Sequence, residues 1–244
     1  MTFTISLIIL AGVFMGACYG LTGIGSVFAV PILVLLAKLD PHQAVCIAMI
    51  TVLGMAVGTL FKQSGEIAYK PGFIIAIAGA IGAPFGSWIG KHISGENLMT
   101  FLAVIMFLLG AHIIFKKESE TKIVPHVNFV LLSFAGFLCG ILAGLFGLGS
   151  VLIVPSLLLI AGLSPHQAIS TATPATLVVG IFATLSHWFS GLRIPFEETT
   201  LFAIASFTGL FVGFYLKNKI STHYLRRILG MSMPLISILI LIKK

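Results

Sequence analysis

Residues 20–44 of the chain read GLTGIGSVFAVPILVLLAKLDPHQA, and residues 144–168 read GLFGLGSVLIVPSLLLIAGLSPHQA. The two stretches are 124 positions apart, and 16 of their 25 residues are identical. Each copy places a Gly-x-Gly-Ser break inside an apolar stretch. In membrane proteins, glycine-interrupted apolar segments at corresponding positions of two halves indicate a binding site near the bilayer midplane. The repeat therefore predicts a duplicated fold with a site between the two breaks.

Around this repeat, the composition is that of a membrane protein. Hydrophobic residues make up 58% of the 244 residues and charged residues only 9%, and the mean hydropathy is +1.14. Residues 1–37 and residues 123–192 contain no Asp, Glu, Lys or Arg. Because a spanning helix needs about 20 apolar residues, we predict an all-α fold, a polytopic bundle of transmembrane helices. The first segment lacks the basic start of a cleaved signal peptide and is predicted to be retained.

Charge clusters and Gly/Pro pairs divide the chain into ten apolar segments, five in each half. We predict a first transmembrane repeat over residues 1–116, a polar linker over 117–126 and a second repeat over 127–244. The second segment of each half is short: about 13 residues cover only about 20 Å of a ~30 Å hydrocarbon core. The segments lie at roughly 3–19, 25–38, 41–62, 71–91 and 96–116, and at 127–143, 149–162, 165–189, 197–217 and 224–242.

The net charge of +7 comes mainly from Lys and Arg in short loops and at the C-terminus. This pattern indicates membrane orientation and contact with lipid headgroups, and it disfavours nucleic acid as a partner. If the first two segments of each half form a re-entrant pair, nine of the 14 Lys and Arg share one side; if they form one broken span, eight do. The positive-inside rule favours the first arrangement. It implies inverted repeats with both termini facing outward.

The two breaks carry the residues that we expect to bind substrate. Glycine permits positive φ and close approach of the backbone, and the first N–H groups of the helix after each break have no internal partner. Two such N-termini near the midplane, with serine hydroxyls beside them, form an anion site. The alternative is close helix packing, which we expect for Gly79, Gly82, Gly86, Gly209 and Gly213. The candidate binding residues are Thr22, Gly23, Gly25 and Ser26 in the first break and Gly147, Gly149 and Ser150 in the second.

Acidic residues are absent from the predicted membrane interior. All seven Asp and Glu lie in predicted loops or at the ends of spans, so a carboxylate proton relay has no candidate and an anionic substrate is favoured. The Pro-His-Gln-Ala runs are predicted to be helix starts, with Asp40 or Ser164 as the N-cap and Pro41 or Pro165 at the first helical position. The alternative is a ligand role for His42 or His166. The three cysteines have no metal-like spacing. We predict no catalytic residue, no metal and no cofactor.

Polar side chains beyond the breaks are concentrated in the second half. Ser170, Thr171, Thr173 and Thr176 follow the second Pro-His-Gln-Ala run, and we expect this polar run to line the cavity beside the glycine break. His187 lies late in the same apolar span. The alternatives are hydroxyl groups that bond their own helix and a histidine with a purely structural partner. In the first half, Thr51 is the main counterpart of the hydroxyls. Gln63 lies near the position that corresponds to His187, and we include both residues among the candidates.

These residues resemble the sulfite exporter TauE/SafE family of membrane proteins. The resemblance covers both halves and rests on G-x-x-x-G-L-x-G-x-G-S, the following Pro31 and Pro155, the Pro-His-x-Ala helix starts, and the Ala-Thr-Leu-x-His stretch at 183–187. The second copy is closer to the family pattern. The resemblance implies transport of sulfite or of small organosulfonates such as sulfoacetate, usually as export across the inner membrane of the cell.

We therefore expect a secondary transporter in which a small anion binds between the breaks and the halves rock to give alternating access. A small-anion channel is the alternative. An intramembrane hydrolase that uses Ser150 with His187 is disfavoured because the serine lacks a Gly-x-Ser-x-Gly elbow. The expected partners are the small anionic substrate and membrane lipids.

Overall fold

The structure, a computed structural model, describes residues 2–62, 65–115, 127–148, 151–191, 194–217, 219 and 222–242. Within these ranges the chain forms helices joined by short connections, with no strand. Seven of the helices are long and apolar enough to cross a membrane. The predicted class, an all-helical polytopic bundle, is confirmed. The predicted linker over 117–126 lies outside the described residues.

The helices follow the predicted apolar segments closely. In the first half these are α1 (Thr2–Thr22), a 3₁₀ turn (Gly25–Phe28), α2 (Ala29–Leu35), α3 (Pro41–Lys62), α4 (Tyr69–His92) and α5 (Gly95–Phe115). In the second half they are α6 (Phe129–Phe146), α7 (Ile153–Leu159), α8 (Pro165–Phe189), α9 (Phe196–Leu216) and α10 (Thr222–Ile242).

The short helices α2 and α7 are shorter than predicted, with seven residues each. In the first half, the 3₁₀ turn takes up the residues before α2. Beyond the helices, the chain leaves the right-handed region at Lys38, with φ of 54°, and at the corresponding Gly162, with φ of 63°. Because left-handed residues do not continue an α-helix, the short helices cannot extend to the predicted ends.

The N-caps predicted for α3 and α8 are confirmed. The Asp40 carboxylate accepts hydrogen bonds from the backbone N–H groups of His42 at 2.9 Å and Gln43 at 3.4 Å. The Ser164 hydroxyl accepts one from the Gln167 N–H at 3.3 Å. These bonds satisfy amide groups that a helix start leaves without partners. The Pro-His-Gln-Ala runs therefore have a structural role as helix starts.

Two helix pairs pack with their backbones in contact, α1 against α9 and α4 against α6. A Cβ on Gly16 would overlap the Ser206 carbonyl group, and a Cβ on Gly140 would overlap the Gly79 carbonyl group. Only glycine permits so close an approach of two helices. The close packing expected for Gly79, Gly82, Gly86, Gly209 and Gly213 is confirmed, and it extends to Gly20 and Gly144.

Contacts between the helices fix their relative directions. Residue numbers rise together along α1 and α9, where Gly12 lies beside Phe202 and Gly16 beside Ser206, so this pair is parallel. The α4–α6 pair is parallel by the same criterion. The α3–α8 pair is antiparallel, because Leu53 contacts Gly180 whereas Gly65, just beyond α3, contacts Ser170 near the start of α8.

These directions define two ends of the bundle. The Thr22 end holds the C-terminal ends of α1, α3 and α9 and the N-terminal end of α8. The Phe146 end holds the C-terminal ends of α6, α4 and α8 and the N-terminal end of α3. The break at Gly23 therefore lies at the Thr22 end, and the break at Gly147 lies at the Phe146 end.

Candidate functional site

A cavity of about 600 Å³ lies at the Thr22 end, between the first glycine break and α8. Its walls are the last turn of α1 with Gly23, the C-terminal ends of α3 and α9, and the N-terminal half of α8. Three of the predicted binding residues, Thr22, Gly23 and Thr173, line it. The cavity is therefore the place where the predicted site is most nearly assembled.

The first break ends α1 and turns the chain back along it. Gly23 has φ of +75°, and its N–H donates to the Tyr19 carbonyl at 2.7 Å, the geometry of a left-handed helix cap. A Cβ on Gly25 would overlap the Tyr19 amide, so this glycine lets the 3₁₀ turn lie against α1. Ser26 is fully buried, and its hydroxyl has no partner among the described residues. Gly25 and Ser26 do not line the cavity.

One face of α8 supplies a row of hydroxyl groups to the cavity. Ser170, Thr173 and Thr176 line it at intervals of three residues, which places them on the same side of the helix. Thr173 donates to the Ile169 carbonyl at 3.0 Å, as the alternative interpretation expected. Thr176 is fully buried, and its hydroxyl has no partner among the described residues. An unpaired buried hydroxyl is costly, and Thr176 borders the inner end of the cavity, so an acceptor bound there would satisfy this hydroxyl once its side chain is uncovered.

The cavity extends deep into the bundle. Thr176 follows His166 by ten residues on α8, and both line the cavity. At 1.5 Å per residue, the two positions are about 15 Å apart along the helix axis. Thr176 is also close to the middle of α8 (Pro165–Phe189). The cavity therefore reaches from the end of the bundle to about its centre.

The charges around the cavity are positive. Lys62 at the end of α3 and Lys217 just after α9 both line it, whereas its described lining contains no Asp or Glu. The carboxylate of Glu66 is held nearby at 3.4 Å by the side chain of Gln167. Two ammonium groups at the mouth of a cleft with apolar walls focus a positive potential into it. This arrangement attracts a small anion and repels cations.

Other predicted residues lie away from the cavity. Thr171 is buried, and its hydroxyl accepts a hydrogen bond from the Ala68 N–H at 2.9 Å, which fixes the connection before α4. Thr51 is buried and donates to the Ile47 carbonyl at 2.7 Å. Neither residue lines the cavity. The predicted residues Gln63, Gly149 and Ser150 lie outside the described residues.

His187 is buried at the Phe146 end. Its Nε2 lies 2.8 Å from the Gly144 carbonyl oxygen, in the last turn of α6. Because a carbonyl only accepts hydrogen bonds, Nε2 carries the hydrogen and donates it. The Nδ1 atom is buried and has no partner among the described residues. His187 therefore joins α8 to the second break.

At the second break, side chains of other helices fill the space beside the glycine. Gly147 has φ of +73°, and its N–H donates to the Ala143 carbonyl at 2.8 Å, the same cap as at Gly23. A Cβ on Gly147 would lie 3.2 Å from the Ala48 side chain, whereas a Cβ on Gly23 would meet nothing within 4 Å. The two breaks thus share a backbone geometry and differ in the space beside them.

Several lining residues were not among the predicted site residues. Ser170 and Thr176 lie three residues before and after Thr173 in the polar run that was expected to line the cavity, and helical spacing places all three on the side that does. His166 was expected mainly as part of a helix start, and Lys62 was visible only as a residue at the end of a span. Lys217 lines the same cavity as Lys62 through tertiary packing, and nothing in the local sequence indicates this. Among the described residues, no group of three His, Cys, Asp or Glu is placed to hold a metal ion.

Comparison with known proteins identifies relatives over nearly the whole chain. The profile of the family described as Sulfite exporter TauE/SafE matches residues 8–240. A "Probable membrane transporter protein" of Xylella fastidiosa (strain 9a5c) is 26% identical over 242 residues, 95% of this chain and 92% of that protein. The "Probable membrane transporter protein YunE" of Bacillus subtilis (strain 168) is 22% identical over 264 residues, 96% and 94% of the two chains. No solved structure matches.

Proposed function

The chain belongs to the sulfite exporter TauE/SafE family and is a multi-pass membrane transporter, and on that basis we propose that it is a secondary transporter of a small anion. The proposed substrates are sulfite and organosulfonates such as sulfoacetate, and the proposed direction is export across the inner membrane. Membership of a transporter family favours a transport role over catalysis.

The observation that carries this proposal is the cavity at the Thr22 end. It joins two lysines at its mouth to a threonine at its inner end whose hydroxyl is buried and unpaired among the described residues, with no carboxylate in its described lining. A sulfite or sulfonate group has a negative charge and oxygen acceptors, which match these cations and this donor. A cation in the same place would meet repulsion from both lysines.

The half-helix N-termini have no part in the proposed site. Each of α2 and α7 is seven residues long, and Gly25 and Ser26 at the first break are buried away from the cavity. The substrate would instead be held by side chains of α8 and by the lysines. The left-handed turn at Gly23 has a different role, because it leaves open space beside α8.

We further propose that the two halves are inverted repeats. In support, the α1–α9 contacts correspond to the α6–α4 contacts when the halves are exchanged: Gly12 faces the Phe202 carbonyl, and Gly136 faces that of Ile75. The helix corresponding to α1, which is α6, runs toward the opposite end of the bundle. Lys62, Lys70, Lys217 and Lys219 belong to the Thr22 end, and the positive-inside rule supports the proposal that this end faces the cytoplasm.

Transport into proteoliposomes tests the proposal. We expect wild-type protein to transport ³⁵S-labelled sulfite or sulfoacetate, and Lys62→Gln with Lys217→Gln to raise KM several-fold. Lys219→Gln is the matched control, because Lys219 lies two residues from Lys217 but contacts Tyr215 instead of lining the cavity. Its KM should stay at the wild-type value.

Two results would count against the proposal. Full activity of the Lys62/Lys217 double variant would remove these lysines from the substrate path. Ion conductance far above carrier turnover, without countertransport, would favour the small-anion channel instead.

A further inference from the structure

The cavity at the Thr22 end has a set of corresponding positions at the Phe146 end. Local geometry supports the correspondence at an offset of 124, since Leu39 N–H bonds to the Leu33 carbonyl and Leu163 N–H to the Leu157 carbonyl, both at 3.3 Å. The left-handed caps at Gly23 and Gly147 agree in the same way. Each residue that lines the cavity can therefore be matched to the residue 124 positions away in the other half.

On α3, the residues that correspond to the hydroxyl row of α8 are buried. Ser170, Thr173 and Thr176 correspond to Cys46, Met49 and Val52 at the offset of 124. The two rows are equally buried: Cys46 is 2% exposed and Ser170 3%, and both Val52 and Thr176 are completely buried. The two ends differ at the breaks, because Phe146, the last residue of α6, is 1% exposed, whereas the corresponding Thr22 is half-buried and lines the cavity. The space is thus open beside the first break and closed beside Phe146.

Named contacts hold this second region closed. Gly147 packs against Ala48 and Val30, whereas Gly23 stands away from the corresponding Ala172 and Val154, which line the open cavity. His187 donates to the Gly144 carbonyl and leaves its Nδ1 buried without a partner among the described residues. A buried polar group with one unpaired atom stabilises a closed state less than full apolar packing does.

Resting on the proposed transport function, we propose that the region around Cys46, Met49 and Val52 is a second substrate cavity, closed in this structure. It opens at the Phe146 end when Gly23 closes onto Ala172, and the hydrogen bond from His187 to Gly144 is the lock that opening breaks. Opening exposes the unpaired Nδ1 to water. The two cavities share the backbone arrangement of the breaks and open in turn.

The side chains of the two cavities predict different affinities for the substrate. The open cavity offers serine and threonine hydroxyls and two lysines, whereas the second offers cysteine, methionine and valine side chains on α3. An oxyanion has fewer hydrogen-bond donors and cations in the second cavity. The substrate is therefore bound more tightly at the Thr22 end and released at the Phe146 end.

The reactivity of the Cys46 thiol measures whether the second cavity opens to water. A protein with Cys46 as its only cysteine, made with Cys18→Ala and Cys139→Ala, is treated with a membrane-impermeant maleimide. The reagent is applied to intact cells and, separately, to inverted membrane vesicles. The matched protein has Ser170→Cys as its only cysteine, with Cys46→Ala added. A protein that keeps Cys139 alone, buried beside Ser156, gives the background rate.

We expect Ser170→Cys to react in inverted vesicles and Cys46 to react in intact cells, faster when sulfite or sulfoacetate is present. Loss of the lock in His187→Leu should raise the Cys46 labelling rate roughly two- to tenfold, the effect of one hydrogen bond. If His187→Leu does not fold, the Cys46 result in the parent protein still decides the question.

Transport in the same proteins separates the two proposals. Active transport with Cys46 labelled no faster than Cys139 overturns the second cavity and leaves the proposed function intact. Labelling of Cys46 from outside without transport of either substrate supports the second cavity and overturns the proposed function. Labelling of Cys46 only in inverted vesicles contradicts the opening at the Phe146 end.

Discussion

Substitution of Gly140 by alanine tests the packing that holds the two halves together. Gly140 on α6 faces α4, and a Cβ at this position would lie 2.8 Å from both the carbonyl carbon and the Cα of Gly79. Ordinary contacts of a Cβ begin at 3.4 Å, so α4 and α6 must separate locally by at least 0.6 Å (3.4 − 2.8 Å). The atoms it meets are backbone atoms, which cannot rotate away.

The expected cost is large for a single methyl group. Overpacking of an interior usually destabilises a protein by about 1–3 kcal/mol, and the rigid neighbours place Gly140→Ala at about 2 kcal/mol or more. Melting of the purified protein in detergent should therefore fall by several degrees. Gly16→Ala, the corresponding change in the α1–α9 pair, should have a similar effect, because its Cβ would overlap the Ser206 carbonyl.

Gly54→Ala is the matched control. Gly54 lies inside α3, and a Cβ there would meet nothing within 4 Å. Alanine is favoured over glycine in a helix by about 0.8–1 kcal/mol, so this variant should melt at or above the wild-type temperature. A melting temperature of Gly140→Ala as high as that of Gly54→Ala would show that the α4–α6 contact tolerates a methyl group.

Three further results are expected. Lys38→Gly should raise the melting temperature by the equivalent of about 1 kcal/mol, because a left-handed residue with a Cβ is strained by about 1–2 kcal/mol; no rise would contradict this. Ser164→Ala removes the N-cap of α8 and should cost about 1 kcal/mol, whereas Ser164→Asp should restore stability in the same melting assay. Thr176→Val removes a hydroxyl without a described partner, so stability should be kept or improved while KM for the anion rises about tenfold, as for one bond to a charged group; lowered stability with unchanged KM would give Thr176 a purely structural role.

Much of the fold could be predicted because the signals are local. Apolar segments between charge clusters determined the helices, and the Asp40 and Ser164 caps marked where α3 and α8 begin. Which helices pack against each other was harder to predict. The spacing of Gly79, Gly82 and Gly86 indicated close packing, but the spacing does not state that α4 packs against α6. That pairing depends on contacts between residues far apart in the sequence.

The site could be predicted only in part for a similar reason. Thr173 was identified, whereas Thr171, two residues earlier, points to the connection before α4 because neighbouring helical positions face different directions. Lys62 and Lys217 reach the same cavity only through the packing of α3 with α9. The repeated breaks also gave no sign that one is open and the other closed, since this depends on the side chains around Gly23 and Gly147.

The position of a bound analogue decides whether a sulfur oxyanion occupies the cavity at the Thr22 end. Selenite is the heavier analogue of sulfite and can be located by anomalous diffraction from crystals of the protein. We expect one selenium peak inside the cavity, within hydrogen-bond distance of the Thr176 hydroxyl and on the path to Lys62 and Lys217. A peak bound elsewhere in the bundle, with the cavity empty in a protein that transports sulfite, would contradict it.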